Sequence, residues 1–281
     1  MKNIIDGSAL AEKIKDEVTK EIFALDGDNR PNLAIILIGE REDSKLYVNL
    51  KEQEAKKVGV DTHLYKCPAN IEEREVFAMI ECLNNDKTID AILVQLPLPD
   101  GFDTDGIIRA IDPAKDVDRF HPDNLEILLK SCDHKNVIPP VHEAVLEMLK
   151  SIEYEIKEKK VCIIANSDIF GLGLKKVLEC QGAKVKITHV DDDDMKTKTS
   201  QADILVTAVG KPKFIKKEMV KKDVVIIDIG ITKEKGAVLG DVDFEDVKDK
   251  VRYITPVPGG VGPMTIAMLF KNTLALYKNR H

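Results

Sequence analysis

The stretch that decides the fold is Lys160-Val161-Cys162-Ile163-Ile164-Ala165-Asn166-Ser167-Asp168-Ile169-Phe170-Gly171-Leu172-Gly173. Its first six residues form an apolar run of strand length. A turn follows, then an amphipathic helical stretch at Gly173–Gln181, then a second apolar run at Lys184–His189. Strand, turn, helix and strand in that order indicate a parallel βαβ unit. The same rhythm extends outward in both directions. It predicts strands at Asn32–Ile38, Thr62–Cys67, Ala91–Leu96, Ile204–Ala208 and Val224–Ile229. It predicts helices at Ser8–Leu25, Ser44–Val58, Ile71–Asn84, Thr104–Ile111, His142–Ile152 and Thr265–Lys278. The runs at 33–38, 91–96 and 224–229 are apolar almost throughout, as in strands buried on both faces. The fold class is therefore α/β with mostly parallel strands.

A polar stretch at Asp133–Pro140, ending in Ile138-Pro139-Pro140, separates two domains, residues 1–135 and 140–255. The last helix, within 262–281, lies beyond the second domain's final strand. It is expected to return and complete the first domain, with a cleft between the two. The chain has 281 residues, 43% of them hydrophobic, enough for a sizeable core in each domain. No apolar run reaches the 18 or so residues of a membrane helix. Met1 to Asp6 lacks a signal-peptide pattern, so a cytoplasmic location is expected. The net charge of −7 and the absence of Trp argue against a nucleic-acid or anionic-membrane partner. Five cysteines without a CxxC pair are read as reduced, buried thiols, and no metal site is expected. His121, His142 and His189 lack ligand spacing and are read as structural or surface residues.

In an open parallel sheet, ligands bind beyond the carboxyl ends of the strands. After the strand at 32–38 comes Gly39–Ser44, with Ser44 as a helix N-cap, and then Tyr47 and Lys51 on one helical face. After the strand at 91 comes Gln95-Leu96-Pro97-Leu98-Pro99, which places Gln95 at the strand's end. Further on are the polar loop Lys115–Pro122 and the run Pro256-Val257-Pro258-Gly259-Gly260-Val261-Gly262-Pro263-Met264-Thr265. The glycines of that run allow close backbone approach to a ligand. Each feature alone has an ordinary reading: a solvated helix face, a strand cap, a domain connection.

Together, Tyr47-Val48-x-x-Lys51, Val94–Pro99, Asp116-Val117-Asp118 and Pro256–Thr265 closely resemble the bifunctional methylenetetrahydrofolate dehydrogenase/cyclohydrolase family. Ile5-Asp6-Gly7, Val225–Gly230 and Gly240-Asp241-Val242-Asp243-Phe244 fit the same family, so the resemblance spans essentially the whole chain. It implies a catalytic α/β domain and a Rossmann-like dinucleotide-binding domain. It implies oxidation of methylenetetrahydrofolate by hydride transfer to NAD(P), then hydrolysis to 10-formyltetrahydrofolate. Lys51 would shuttle the proton, Gln95 would tune Lys51, and Tyr47 would stack on the folate. Asp118 would accept hydrogen bonds from the pterin, and Pro258, Gly259 and Gly260 would lie against the substrate. Ala165, Asn166, Ser167, Gly171, Asp191, Gly210 and Ile231 would meet the dinucleotide. A homodimer is also implied.

The dinucleotide turn departs from the family's Gly-Arg-Ser-x-x-Val-Gly-x-Pro at Ala165, Asn166, Phe170 and Gly173. Arg119 replaces a glycine, and Pro139-Pro140-Val141-His142 replaces Pro-Cys-Thr-Pro. Asn166 in place of arginine, with aspartates at 191–194, favours NAD over NADP. A solvated acidic loop is the plain reading of those aspartates. The alternatives that stay open are a cyclohydrolase-dominant enzyme with weak or lost dinucleotide use, a non-catalytic folate- or nucleotide-binding module, and a shikimate-type dehydrogenase. The last would not account for Gln95 and the Pro256–Thr265 run together.

Overall fold

In chain order the elements are α1 (Gly7–Phe23), β1 (Asn32–Ile38), α2 (Glu42–Val58), β2 (Asp61–Cys67), α3 (Glu73–Asn85), β3 (Ala91–Val94), α4 (Thr104–Ala110) and α5 (Pro122–Lys130). They continue with α6 (Pro140–Ser151), β4 (Lys160–Ala165), α7 (Asp168–Cys180), β5 (Lys184–Thr188), α8 (Met195–Ser200), β6 (Ile204–Ala208) and β7 (Val224–Asp228). The last are β8 (Thr232–Glu234), β9 (Ala237–Leu239), α9 (Phe244–Val247), β10 (Val251–Ile254) and α10 (Val261–Arg280). This computed structural model describes residues 3–25, 29–132, 138–234 and 236–281. Most of the proposed boundary at Asp133–Pro140 lies outside the described residues.

The chain divides into two compact units. The first comprises residues 12–127, 134–140 and 266–281. Its parallel sheet has the order β2-β1-β3. Leu33, Ile35 and Leu37 of the central strand join a core with Val18, Ile22, Val48, Ala55, Leu269 and Phe270. Ala34, Ile36 and Ile38 join another with Val76, Ile80, Leu83 and Ile107. Successive side chains of a strand point to opposite faces, so a strand covered on both must be apolar at every position. That is why β1 reads as an unbroken apolar run. Asp90, just before β3, accepts from the Asn32 N–H (2.8 Å) and the Arg280 guanidinium (3.1 Å), which anchors the end of α10.

The second unit comprises residues 1–11, 128–133 and 141–265. Its sheet runs β10-β7-β6-β4-β5, all parallel, with β8 and β9 forming an antiparallel hairpin. Strand order reverses between β4 and β6, the switch point where doubly wound sheets bind ligands. Three readings need correction. α7 begins at Asp168, not Gly173, because Gly171 and Gly173 lie inside it against partners remote in sequence. A Cβ at Gly171 would sit 3.3 Å from Ile187, and one at Gly173 would sit 2.7 Å from His142 Cε1. α2 begins at Glu42, so Ser44 lies within its first turn rather than capping it; Glu42 and Asp43 bring negative charge to the helix start. The cysteines are not all buried thiols. Cys132 and Cys180, 48 residues apart, form a disulfide that spacing alone could not reveal, and Cys82 is exposed.

Candidate active site

The first unit's sheet also reverses order at its central strand, between β1 and β3. Gly39 ends β1 with a φ of +84°, and α2 then carries Tyr47 and Lys51 one turn apart. Gln95 follows β3, and its N–H still donates to the Ile36 carbonyl at 2.9 Å. Its amide nitrogen donates to the Leu96 carbonyl (2.7 Å), which turns its oxygen toward Lys51. Lys51 Nζ donates to that oxygen at 2.8 Å. Burial lowers the pKa of Lys51, against an opposing attraction from Asp118. Burial raises that of Tyr47, with the Asp43 charge adding.

Asp118 is presented by a braced loop. Asp116 is buried, and its carboxylate accepts from the Arg119 N–H (3.0 Å), the His121 N–H (2.8 Å) and the Asn124 amide (3.0 Å). Arg119 stands at φ +61°, the conformation glycine takes cheaply, and its guanidinium donates to the Pro113 carbonyl at 2.8 Å. Among the described residues no donor is bonded to the Asp118 carboxylate. Desolvation pushes its pKa up to about 6, with Lys51 pulling it down and Asp116 pushing it up. Lys51, Gln95 and Asp118 thus form one electrostatic group. Ser44, one turn before Tyr47, has a buried hydroxyl without a partner among the described residues. The sequence reading gave Ser44 only a capping role, although its spacing of three and seven from Tyr47 and Lys51 places it on their helical face.

In the second unit, β4 ends at Ala165. Ser167 caps α7 by accepting from the Phe170 N–H (3.3 Å). The Asn166 amide donates to the Val209 carbonyl (2.8 Å), tying the first turn to the loop after β6 across the switch point. In that loop Gly210 has φ +66° and nothing within 4 Å of where a Cβ would stand. Ile231 is exposed beyond β7. Asp191 is exposed, whereas Asp192 is committed to the end of β5, accepting from the Thr188 hydroxyl (2.8 Å) and the His189 N–H (3.0 Å). His189 lies 3.2 Å from Asp168, at the start of α7. His142 is fully buried against the Phe170 ring, and desolvation pushes its pKa down to about 3. Pro258, Gly259 and Gly260 lie in the loop before α10. The Gly259 carbonyl accepts from the Ser8 N–H at 3.0 Å, and a Cβ on Gly7 would fall 1.9 Å from the Gly260 oxygen. This close approach requires glycine at position 7. Among the described residues there is no cluster of three metal-ligating side chains, and no helix is long and apolar enough to cross a membrane.

Residues 5–118 match the tetrahydrofolate dehydrogenase/cyclohydrolase catalytic domain, and residues 139–281 match the NAD(P)-binding domain of the same enzymes. The chain is 44% identical over 278 residues to the bifunctional protein FolD of Nautilia profundicola, covering 98% of this chain and 97% of that one. The crystal structure of the bifunctional enzyme FolD from Campylobacter jejuni superposes with a TM-score of 0.94 at 39% identity over 99% of both chains. The Trypanosoma brucei FolD, solved with NADP and an inhibitor, superposes at 0.93 with 35% identity, covering 98% of this chain and 97% of that one. With an α/β catalytic domain followed by an NAD(P)-binding domain, both matched in order along its length, the chain belongs to the tetrahydrofolate dehydrogenase/cyclohydrolase family.

Proposed function

We propose that the chain oxidises methylenetetrahydrofolate to methenyltetrahydrofolate and hydrolyses that product to 10-formyltetrahydrofolate, with Lys51, Gln95, Tyr47 and Asp118 as its folate-side machinery. The observation that carries the assignment of residues is the Asp118 carboxylate, desolvated and without a donor, electrostatically coupled to an ammonium whose pKa burial has lowered. An acceptor-only carboxylate matches the paired N–H donors of a pterin. Tyr47, on the same helical face as Lys51, supplies a ring face.

Hydrolysis needs a base near neutrality, and an exposed lysine is almost wholly protonated there. Desolvation of Lys51 raises the fraction present as free amine. Water bonds to the methenyl carbon and gives one proton to Lys51, while the Gln95 oxygen holds another amine hydrogen and so orients the lone pair. The bond from that carbon to N5 then breaks. The carbinol hydroxyl loses its proton, N5 gains one carried by the same side chain, and one proton is released overall.

The second unit fits a dinucleotide: Gly210 leaves open space, and α7 opens directly after Ser167. A bound dinucleotide would supply the hydride acceptor for oxidation of the methylene bridge. Ala165, Asn166, Ser167 and Gly171 would hold its phosphate side, and Gly210 and Ile231 its nicotinamide side. NAD is preferred to NADP. Asn166 is uncharged and already bonded to Val209, so it offers no cation to a 2′-phosphate, while exposed Asp191 offers an acceptor to ribose hydroxyls. The family resemblance supports a homodimer, which light scattering would test.

A spectrophotometric assay with methylenetetrahydrofolate, run separately with NAD and NADP, follows reduced cofactor and methenyl product together. Faster turnover with NADP would defeat the NAD assignment. Lys51→Met should keep the fold and lose hydrolysis; a hydrolytically active Lys51→Met protein would remove Lys51 from its role.

A further inference from the structure

Two buried carboxylates stand apart from the groups assigned above. Asp228 ends β7 and Asp241 follows β9; they are 3% and 0% exposed. Each accepts three hydrogen bonds. Asp241 takes the Thr207 hydroxyl (2.8 Å) and the Val209 N–H (2.7 Å) on Oδ2, and the Lys211 N–H (2.9 Å) on Oδ1. All three donors belong to the end of β6 and the loop leaving it. Asp228 takes the Gly230 N–H (3.0 Å) and the Asp241 N–H (3.1 Å) on Oδ1, and the Val242 N–H (2.9 Å) on Oδ2. Its own N–H donates to the Thr255 hydroxyl at 2.8 Å. The loops at 209–211 and 229–231 are therefore tied to one another through residues 241 and 242.

The chain is cut to admit these side chains. A Cβ on Gly230 would fall 2.1 Å from Asp241 Cγ, and one on Gly240 would fall 2.1 Å from Asp228 Oδ2. Two adjacent carboxylates in a dry interior are costly, and only a full set of donors makes them tolerable. Burial, with the Asp241 charge adding, pushes the Asp228 carboxyl up to about 7. That cost falls at the carboxyl edge of the sheet, on the side of the switch point away from the first turn. There a doubly wound sheet receives the second half of a dinucleotide. Gly210 and Ile231, the open and exposed positions of the two loops, sit on this brace.

We infer that Asp228 and Asp241 are positioning residues for the nicotinamide half of the dinucleotide, holding the loops at 209–211 and 229–231 in the shape the ring meets. The inference rests on the NAD(P) reading of this unit. Neither carboxylate touches the ligand; each acts through the backbone it fixes.

The test compares full-length wild type with Asp241→Asn and Thr207→Val. It measures kcat and KM for the dinucleotide in the dehydrogenase reaction, and hydrolysis of methenyltetrahydrofolate with no dinucleotide present. Asp241→Asn turns an acceptor into a donor facing an N–H. It should raise the dinucleotide KM about tenfold, the equivalent of one lost hydrogen bond, while hydrolysis stays within about twofold. Thr207→Val removes one donor and nothing else; if Asp241→Asn does not fold, it carries the same split at about threefold. A purely architectural brace would lower both activities together at unchanged KM, and that result overturns the inference, as does an unchanged KM in both variants. A wild-type chain with neither activity overturns the functional reading itself, and it is seen before any variant is compared.

Discussion

Replacing Asp118 with asparagine should stabilise the protein while weakening its hold on folate. The carboxyl is pushed from 3.8 to about 6 by its surroundings, so at neutral pH the folded chain carries an ionised group that it disfavours. At about 1.4 kcal/mol per pH unit, the penalty reaches up to about 3 kcal/mol, less whatever solvent screens at this half-buried side chain. The direction follows from proton linkage. Unfolded, the group loses its proton near 3.8; folded, it keeps it until about 6. Wild-type stability should therefore fall as pH rises through that window and stay level above it. Asparagine cannot ionise, so the variant should match wild type near pH 3.5 and exceed it at pH 7.5. Urea unfolding of both proteins at a series of pH values reads the difference directly. A second consequence separates this account from a general loosening. Without Asp118 the Lys51 pKa loses its opposing attraction and falls further, so the acid limb of the hydrolysis profile should move to lower pH. Folate KM should rise steeply in the same variant. Parallel stability curves for the two proteins from pH 3.5 to 7.5, or an unchanged folate KM, would refute the reasoning.

Three further outcomes follow from the geometry. Reducing Cys132–Cys180, which closes a loop of 48 residues, should cost up to about 4 kcal/mol on the chain-entropy scale, read as a lower denaturation midpoint with reductant that Cys132→Ser reproduces without it. His142, buried with its pKa near 3, favours the neutral ring, so its contribution to stability is present above 6.5 and drains away as pH falls toward 3; His142→Asn should flatten that part of the acid-unfolding curve. Gly7→Ala drives a methyl to 1.9 Å from the Gly260 backbone oxygen and should cost about 3 kcal/mol or more, whereas Gly236→Ala, with open space at its Cβ, should cost only the strain of its φ of +83°.

Much of the fold was legible because β1, β3, β4, β6 and β7 are buried on both faces and are apolar at nearly every position. Helix starts were less so. Gly171 and Gly173 read as turn residues, yet their purpose is to let α7 lie against Ile187 of β5 and against His142 of α6, neighbours that no local window contains. Helix α5 was hidden for a similar reason: Pro122 opens it, but Asp123-Asn124 resembles a loop until His121 and Asn124 are seen bonded to the Asp116 brace. The Tyr47 and Lys51 pair was visible as one helical face. The bond from Lys51 to Gln95, 44 residues on, depends on β3 lying beside β1, which is a tertiary fact. The disulfide escaped altogether, since nothing in the spacing of Cys132 and Cys180 distinguishes a bonded pair from two thiols.

A supply of fixed donors separates the carboxylates that brace this protein from Asp118, the half-buried one proposed for folate. Asp116, Asp228 and Asp241 are all buried, and each is met by three donors within 3.1 Å, most of them backbone N–H groups that cannot leave. Asp118 lies two residues from Asp116 in the same loop and meets none among the described residues. A desolvated acceptor without donors costs stability, and N–H groups brought to it offset that cost. The brace at Asp116 fixes where the loop that carries Asp118 stands. The same logic predicts the effect of closing the site from within. A side chain engineered to donate to Asp118, for example by replacing a neighbouring residue with asparagine, should lower the Asp118 pKa and raise stability at neutral pH. It should also compete with folate in proportion. If such a variant gained stability yet bound folate as tightly as wild type, the donor-free carboxylate of Asp118 would not be the group the substrate meets.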